Sequence, residues 1–453
     1  MIFEQIRAEG IAHNSYLIGS KGEASVIDPK RDCWDYLDLT KEHDLTITHI
    51  FETHRNEDYV IGSLELKEVV KAEIYHGPNL DFGYGNTVRE GDKFTVGSLE
   101  FEIIETPGHT DESISILLID KDVSKDPYMV FTGDALFAGD VGRTDLYGKE
   151  ERERLAKTLY ESLHKKLLKL DDEVIVCPAH GKGSVCGEEI SDRPFTTIGY
   201  ERKNNPRLRL DKKQFIKVKK NEMIHIPPYF KKMEYYNKNG VPILHRPPNL
   251  KSIDVEELKE LEGGAVQIVD IRSPTSFSGG HIPGSLNIWR KGLPFFIGWV
   301  LKYDDPIVLI DDFNIELDKA LNHFIRLGYD NIYGYLSEGF SNWFMNGEEV
   351  ETVDIISVHD FKKILDEDVF ILDVRSDKTW KSEKHIPGAV HIYVGEIFDN
   401  LEKIPHNRRV YIYCDSGFKT SLAASMLKRE DYQNITSVLG GMSAWDKMKY
   451  PLE

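Results

Sequence analysis

The residues from Tyr411 to Thr420 read Tyr-Ile-Tyr-Cys-Asp-Ser-Gly-Phe-Lys-Thr and place a thiol where an apolar strand ends. A glycine-containing loop follows Cys414 and leads into a helix-forming stretch from Leu422 to Lys428. A thiol at such a junction faces backbone N–H groups and the positive end of a helix, which stabilise a thiolate or a persulfide. We therefore predict that Cys414 carries sulfur; the alternative is a structural cysteine.

A second set of reactive side chains lies in the first half of the chain, where four segments end a predicted strand with a potential metal ligand. These segments are Thr53–Tyr59, Pro107–Thr110, Thr132–Asp134 and Pro178–Gly181. A single histidine after a strand is more often a hydrogen-bonded structural residue, but four such segments together favour one metal centre. The alternative is a degenerate site that binds no metal.

The composition limits the classes of protein that this chain can belong to. A length of 453 residues predicts about three domains. The formal charge of −19 argues against a nucleic-acid binder, and no apolar run is long enough to span a bilayer. No signal peptide is visible, and the four cysteines do not form a disulfide framework. We expect a cytoplasmic protein with no membrane and no nucleic-acid partner.

The chain repeats itself after about residue 250. Three segments recur at offsets of 103, 104 and 102 residues: Val269–Arg272 as Leu372–Arg375, His281–Ser285 as His385–Ala389, and Glu338–Trp343 as Gly440–Trp445. Such a repeat indicates a duplicated domain. Short β-branched strands alternate with helical patterns in each copy, which predicts a doubly wound parallel α/β sheet. Asp311 occupies the position of Cys414 in the first copy.

These patterns divide the chain into four parts. Residues 1–200 hold the metal ligands, and one amphipathic helix is predicted from Glu151 to Leu170. Residues 201–249 form a basic, proline-containing connecting segment that we expect to pack on the first domain. Residues 250–350 are the copy without the cysteine, and residues 351–453 are the copy with it.

Residues 1–200 resemble the metallo-β-lactamase superfamily, whose pattern is His-x-His-x-Asp-His, then Gly-His-Thr, then Gly-Asp, then a late His. Segments Phe131–Phe137 and Gly142–Asp145 are similar to the persulfide dioxygenase branch. Segments His180–Gly187 and Thr197–Glu201 are similar to bacterial members fused to rhodanese domains. The resemblance implies an N-terminal αββα sandwich followed by two rhodanese-like domains, an α/β multidomain protein.

The first motif departs from the superfamily pattern, because Asn56 replaces its second histidine and Tyr59 replaces its last. A binuclear zinc hydrolase of the glyoxalase II type needs Asp58 and a neighbouring histidine for its second metal. The resemblance to persulfide dioxygenases instead implies one Fe(II), held by the residues His54, His109 and Asp134. Two imidazoles and one carboxylate leave open positions for substrate and dioxygen. Zinc remains the alternative metal.

The other motif residues have two interpretations each. Asp58 and His180 orient ligands or water around the metal, or they are structural. Arg143 contacts an anionic substrate, or it braces a loop. Cys186 accepts or relays sulfur, or it is a buried inert thiol.

The two copies resemble rhodaneses, whose signature includes Asp-x-Arg, His-Ile-Pro-Gly-Ala and a strand that ends in cysteine. The second copy matches through residues 373–375, 385–389 and 414. Lys419 stands where an arginine is usual, which keeps the charge but loses the bidentate fork. Asp311 cannot carry sulfane sulfur, so the first copy is expected to be a scaffold or a docking surface.

The resemblance implies a persulfide dioxygenase joined to a sulfurtransferase that acts in sulfide detoxification. A glutathione or coenzyme A persulfide and dioxygen would give sulfite, and Cys414 would convert sulfite to thiosulfate. The alternatives are a zinc thioester hydrolase fused to a sulfurtransferase, and a sulfur carrier whose metal domain is inactive. A homo-oligomer is possible.

Overall fold

A computed structural model describes residues 1–187, 189–222, 225–246, 248–262, 265–365 and 368–453. The chain forms two compact units. The first comprises Met1–Pro247 together with Ile325–Gly328, and the second comprises the remainder of the chain from Pro248 onward.

The first unit contains two six-stranded sheets. One sheet runs in chain order through β1 (Ile2–Ala8), β2 (His13–Ser20), β3 (Glu23–Ile27), β4 (Thr46–Glu52), β5 (Glu73–His76) and β6 (Asn86–Thr87). The other runs through β7 (Lys93–Val96), β8 (Leu99–Glu105), β9 (Ile114–Asp120), β10 (Met129–Gly133), β11 (Ile175–Pro178) and β12 (Thr196–Thr197). Strands β3 to β6 pair in parallel, and so do β10 and β11.

Within the described ranges, six helices accompany the two sheets. They are α1 (Trp34–Glu42), α2 (Ser63–Val70), α3 (Arg152–Lys165), α4 (Ile198–Asn204), α5 (Lys212–Asn221) and α6 (Phe230–Asn239), with a 3-10 turn at Leu167–Lys169. Buried Phe51, Phe101 and Phe131 belong to the apolar core between the sheets. Separate apolar clusters join α1 and α2 to the first sheet and α3 to the second. The αββα prediction is therefore confirmed.

Much of the segment at 201–249 is helical. Helix α5 begins with a capping box in which Asp211 and Gln214 satisfy each other's backbone N–H groups. Buried Phe215 of this helix joins the same apolar cluster as Leu159 of α3. An amphipathic α5 thus covers α3, whose own apolar stripe faces the second sheet.

The second unit contains two five-stranded parallel sheets. The first has β13 (Lys251–Ile253), β14 (Gln267–Asp270), β15 (Leu286–Asn287), β16 (Ile307–Ile310) and β17 (Ile332–Leu336), and the second has β18 (Asp354–Ile356), β19 (Phe370–Asp373), β20 (Ala389–His391), β21 (Val410–Tyr413) and β22 (Ile435–Val438). Their orders, β13-β17-β16-β14-β15 and β18-β22-β21-β19-β20, are the same when each copy is counted from its start. The predicted duplication and parallel α/β fold are confirmed.

Helices alternate with these strands, as right-handed parallel connections require. They are α7 (Val255–Glu262), α8 (Pro274–Gly279), α9 (Leu293–Val300), α10 (Leu317–Arg326), α11 (Phe340–Met345), α12 (Val358–Lys363), α13 (Asp377–Ser382), α14 (Lys419–Arg429) and α15 (Gly441–Lys447), with 3-10 turns at Arg290–Gly292, Val394–Glu396 and Phe398–Lys403. Across the described ranges, no helix is long and apolar enough to cross a membrane.

Candidate metal centre and thiol site

His54 follows β4 and is oriented by its neighbour Thr53. The hydroxyl of Thr53 donates to the Asp28 carboxylate at 2.7 Å, so its oxygen is free to accept from His54 Nδ1 at 2.9 Å. This network puts the proton of a neutral His54 on Nδ1 and leaves a lone pair on Nε2. Burial lowers the pKa of His54 from 6.5 to about 4, which keeps the ring neutral.

His109 lies in the loop after β8, and its ring is also held through Nδ1. That nitrogen is 3.0 Å from the carbonyl oxygen of Arg143, which can only accept a hydrogen bond. Nδ1 therefore carries a proton, and the Nε2 of a neutral His109 presents a lone pair. The backbone of Arg143 thus orients a candidate ligand.

Asp134 follows β10, where Gly133 permits a close approach to the first motif. Gly133 has φ +52°, and a Cβ at this position would lie 2.6 Å from Thr53 Oγ1. One carboxylate oxygen of Asp134, Oδ1, accepts from His180 Nδ1 at 2.7 Å. His180 therefore fixes the carboxylate and leaves Oδ2 facing the two other imidazoles.

The atoms of these three residues converge as ligands of one ion would. Asp134 Oδ2 is 3.7 Å from His54 Nε2 and 3.5 Å from His109 Nε2. Two ligand atoms that are each about 2.1 Å from one metal lie about 3 to 4 Å apart. All three atoms are buried and have no hydrogen-bond partner among the described residues. When both rings are neutral, these buried lone pairs fit a bound cation.

Glu57 also faces this centre, and the sequence analysis did not identify it. Its Oε2 atom is 3.6 Å from His109 Nε2 and is likewise unpartnered within the described part of the chain. The ligand atoms of His54, Glu57 and His109 all lie within 4.8 Å of one another. The only available signal was an acidic side chain inside the altered motif, at a position that the superfamily pattern leaves unspecified.

A second buried group adjoins the centre. His180 Nε2 is 3.0 Å from Asp58 Oδ2, and the thiol of Cys186 lies within 4.8 Å of the ligand atoms of both. Cys186 is also within this distance of His109 and Asp134. Burial raises the pKa of Cys186 well above its ordinary value, with the nearby Asp58 and Asp134 as further causes. A neutral thiol therefore adjoins the centre in the metal-free protein.

The two altered motif residues, Asn56 and Tyr59, make hydrogen bonds of their own. The Asn56 amide donates to the backbone oxygen of His54 at 3.2 Å. The Tyr59 hydroxyl is 3.0 Å from His13 Nε2. Both residues are buried, and Asn237 of α6 binds the backbone oxygens of both, at 2.6 and 2.7 Å. They shape the loop that carries His54, Glu57 and Asp58.

Arg143 is fully buried and does not face open space. Its guanidinium pairs with Asp145 at 2.7 Å and donates to the Val185 carbonyl at 3.0 Å. These contacts are those of a residue that braces a loop. Arg143 ties its own loop, which orients His109, to the loop that carries Cys186.

Cys414 lies at the end of β21, with 1% of its surface exposed. Its sulfur accepts a hydrogen bond from the Gly417 N–H at 3.1 Å, and Gly417 adopts a φ of +90° that favours glycine. Burial raises the pKa of the Cys414 thiol above its ordinary value of 9.0, although the loop amides and Lys419 oppose the shift. The loop amides and Lys419 stabilise a thiolate as expected, but burial disfavours the thiolate more strongly.

Charged neighbours of this loop differ between the two copies. Lys419 begins α14, and its ammonium pairs with Asp415 at 2.7 Å. In the first copy, Asp311 pairs with Arg290 at 2.9 Å. The first copy therefore replaces the thiol with a salt-bridged carboxylate.

Comparisons with known families match separate parts of the chain. The description "Metallo-beta-lactamase superfamily" fits residues 8–180. The description "Rhodanese-like domain" fits twice, at residues 254–346 and 357–448.

Individual relatives match with moderate identity. The mitochondrial persulfide dioxygenase ETHE1 of Mus musculus is 32% identical over 219 residues, which cover 46% of this chain and 76% of that protein. The hydroxyacylglutathione hydrolase GloC of Haemophilus influenzae is 29% identical, covering 46% of this chain and 97% of that protein. A metallo-beta-lactamase structure from Staphylococcus aureus subsp. aureus COL has a TM-score of 0.66 at 32% identity, covering 74% of this chain and 98% of that one.

Relatives with two different reactions, oxygenation and hydrolysis, therefore match the chain to a similar extent. The choice between the two reactions has to come from the side chains of the centre.

Proposed function

Because the chain belongs to the metallo-beta-lactamase superfamily and carries two rhodanese-like domains, we propose that it is a persulfide dioxygenase coupled to a sulfurtransferase. The oxygenation half converts a thiol persulfide, dioxygen and water to the free thiol, hydrogen sulfite and a proton. The transfer half passes sulfane sulfur from a Cys414 persulfide to sulfite, which gives thiosulfate and the Cys414 thiolate.

The observation that carries the proposal is the convergence of two buried Nε2 atoms and one buried carboxylate oxygen. Two imidazoles and one carboxylate are the ligand set of mononuclear non-haem Fe(II) oxygenases. Such an iron supplies a binding position and an electron source for dioxygen. His54, His109 and Asp134 would hold it.

The surrounding residues of the chain keep these ligands in place. His180 fixes Asp134 through its other oxygen, and the Arg143 carbonyl fixes the His109 tautomer. Partners of this kind orient ligand atoms and raise their basicity. Burial of all three ligand side chains excludes bulk water from the reacting sulfur.

The transfer half depends on the loop that follows Cys414. A persulfide on Cys414 would place its negative charge near the Gly417 N–H and the N-terminus of α14. Lys419 adds a cation that attracts the sulfite anion. Attack of sulfite on the outer sulfur forms the new S–S bond, breaks the old one and leaves the electron pair on Cys414.

A zinc thioester hydrolase is the second candidate function. The similarity to GloC and the Asp58–His180–Cys186 group, which could hold another metal, favour it. The Asn56 and Tyr59 substitutions oppose it, because they replace two histidines of the superfamily pattern, and the Asn56 Nδ2 and Tyr59 hydroxyl bind other groups.

An oxygen electrode and a metal analysis together test the proposal. We expect purified full-length protein to contain one iron per chain and to consume dioxygen with glutathione persulfide or coenzyme A persulfide. The His109→Ala variant should lose dioxygen uptake and keep sulfur transfer to sulfite. Two zinc ions per chain with thioester hydrolysis and no dioxygen uptake would overturn the proposal.

A further inference from the structure

We propose that Glu57 is a fourth protein ligand of the metal centre and binds through Oε2, so that two imidazoles and two carboxylates hold the ion. This inference rests on the mononuclear centre of the proposed function, but it does not depend on which reaction the centre performs.

The Glu57 carboxylate lies where a ligand of the ion would lie. The side chain is buried, and Oε2 has no hydrogen-bond partner among the residues described. His109 Nε2 lies 3.6 Å from Oε2, beyond hydrogen-bond distance. The Nδ1 proton of His109 is on the Arg143 carbonyl, so in a neutral ring the Nε2 lone pair faces Glu57 Oε2. A cation between these atoms turns a repulsive arrangement into an attractive one.

Arg55 keeps this oxygen aimed at the centre. Its guanidinium donates to the other oxygen of Glu57, Oε1, at 3.1 Å. The backbone N–H of Arg55 donates to Glu112 at 3.0 Å, and Tyr147 donates to the second oxygen of Glu112 at 3.3 Å. Both carboxylate oxygens of Glu112 therefore accept hydrogen bonds, whereas in Glu57 only Oε1 accepts one. This difference makes Glu112 a matched control for Glu57.

The presence of Asn56 in place of a histidine explains why this chain has room for Glu57 as a ligand. The superfamily pattern has a histidine at this position, and Asn56 instead turns its amide to the His54 backbone. The next residue, Glu57, then reaches the centre from the same loop. A second carboxylate neutralises a divalent cation and favours hard or borderline ions over soft ones. With four protein ligands, an octahedrally coordinated ion keeps two open positions, enough for a persulfide and dioxygen.

Cobalt(II) binding by the metal-depleted full-length chain tests the proposal without any turnover. Affinity is measured by competition with a chromophoric chelator, and the visible spectrum of the bound cobalt reports its ligands. Loss of a partner of a metal ligand weakens binding by about 10–100-fold, so loss of a ligand should do at least as much. We expect Glu57→Gln to lose at least tenfold in affinity and to change the cobalt spectrum, while Glu112→Gln changes neither.

Wild-type affinity and spectrum in a folded Glu57→Gln variant would overturn the inference. If the variant does not fold, a crystal structure of the cobalt-loaded wild type decides: Oε2 should lie about 2.1 Å from the ion, and a separation beyond about 3 Å refutes ligation. Failure of the wild type itself to bind a single cobalt would contradict the mononuclear centre of the proposed function. If wild type and variant both bind cobalt normally, only the role of Glu57 is contradicted.

Discussion

His180 is predicted to control metal affinity without belonging to the proposed ligand set. Its Nδ1 donates to Asp134 Oδ1 at 2.7 Å, a short charge-assisted hydrogen bond between fully buried groups. Bonds of this kind contribute about 1.5–3 kcal/mol. Replacing His180 by alanine removes the bond and lets the Asp134 carboxylate rotate away from His54 and His109.

The expected loss of metal affinity can be calculated from that bond. A free energy of about 1.4 kcal/mol corresponds to a tenfold change in an equilibrium constant. The hydrogen bond therefore predicts a loss of about 10–100-fold, the range measured when hydrogen-bond partners of metal ligands are removed. Added imidazole should restore part of the affinity, because it can occupy the vacated position and donate to Asp134.

Chelator competition with cobalt(II) provides the measurement, and thermal unfolding of the metal-free variant verifies that it folds. His49→Ala is the control, since His49 lies on β4 among aromatic rings and is not a member of the candidate ligand groups. A folded His180→Ala variant that binds cobalt within twofold of wild type would refute the role assigned to His180.

Three further predictions concern the second unit. Cys414→Ser should abolish thiosulfate formation and leave persulfide-dependent dioxygen uptake intact, as measured by chromatography of sulfur products beside an oxygen electrode. Because burial raises the pKa of the Cys414 thiol above 9.0, its alkylation rate should be slow at pH 7 and rise through pH 9, and a rate that is flat from pH 7 upward would contradict this. Arg375→Met leaves the buried Asp373 unpaired and should lower the free energy of unfolding by about 3–5 kcal/mol. Lys381→Met breaks an exposed ion pair and should change the free energy of unfolding by less than about 1 kcal/mol. If denaturant titrations show equal effects for the two variants, burial is not the cause.

Local patterns predicted the parallel α/β fold of the two copies, whereas the αββα sandwich was implied by the family resemblance. The duplicated segments around Asp270 and Asp373 lie on β14 and β19, and both aspartates form buried pairs with the arginine two residues later. Strand-ending histidines identified His54 and His109 as candidates, because a ligand type and its position after a strand are both visible in the sequence. The prediction that Cys414 follows an apolar strand and precedes a helix also agrees with β21 and α14.

The sequence could not assign roles to residues whose function depends on contacts distant in the chain. Arg143 illustrates this, because only the structure shows that its guanidinium contacts Asp145 and the Val185 carbonyl. Glu57 was missed for the same reason, since neighbouring Glu57 and Asp58 have similar side chains but face different buried groups. Desolvation of Cys414 also depends on packing. It raises the pKa of the thiol by more than the loop amides, which the sequence predicted, lower it.

Sequence alone thus determined which side chains are available for metal and sulfur chemistry and which folds carry them. Tertiary structure decided which nitrogen of each imidazole is free and which carboxylate oxygen faces the centre. The physical reason is that a hydrogen bond to one atom of an imidazole or carboxylate fixes how the other atom of that group is oriented and whether it carries a proton. Those partners, the Arg143 carbonyl for His109 and His180 for Asp134, lie 34 and 46 residues away along the chain.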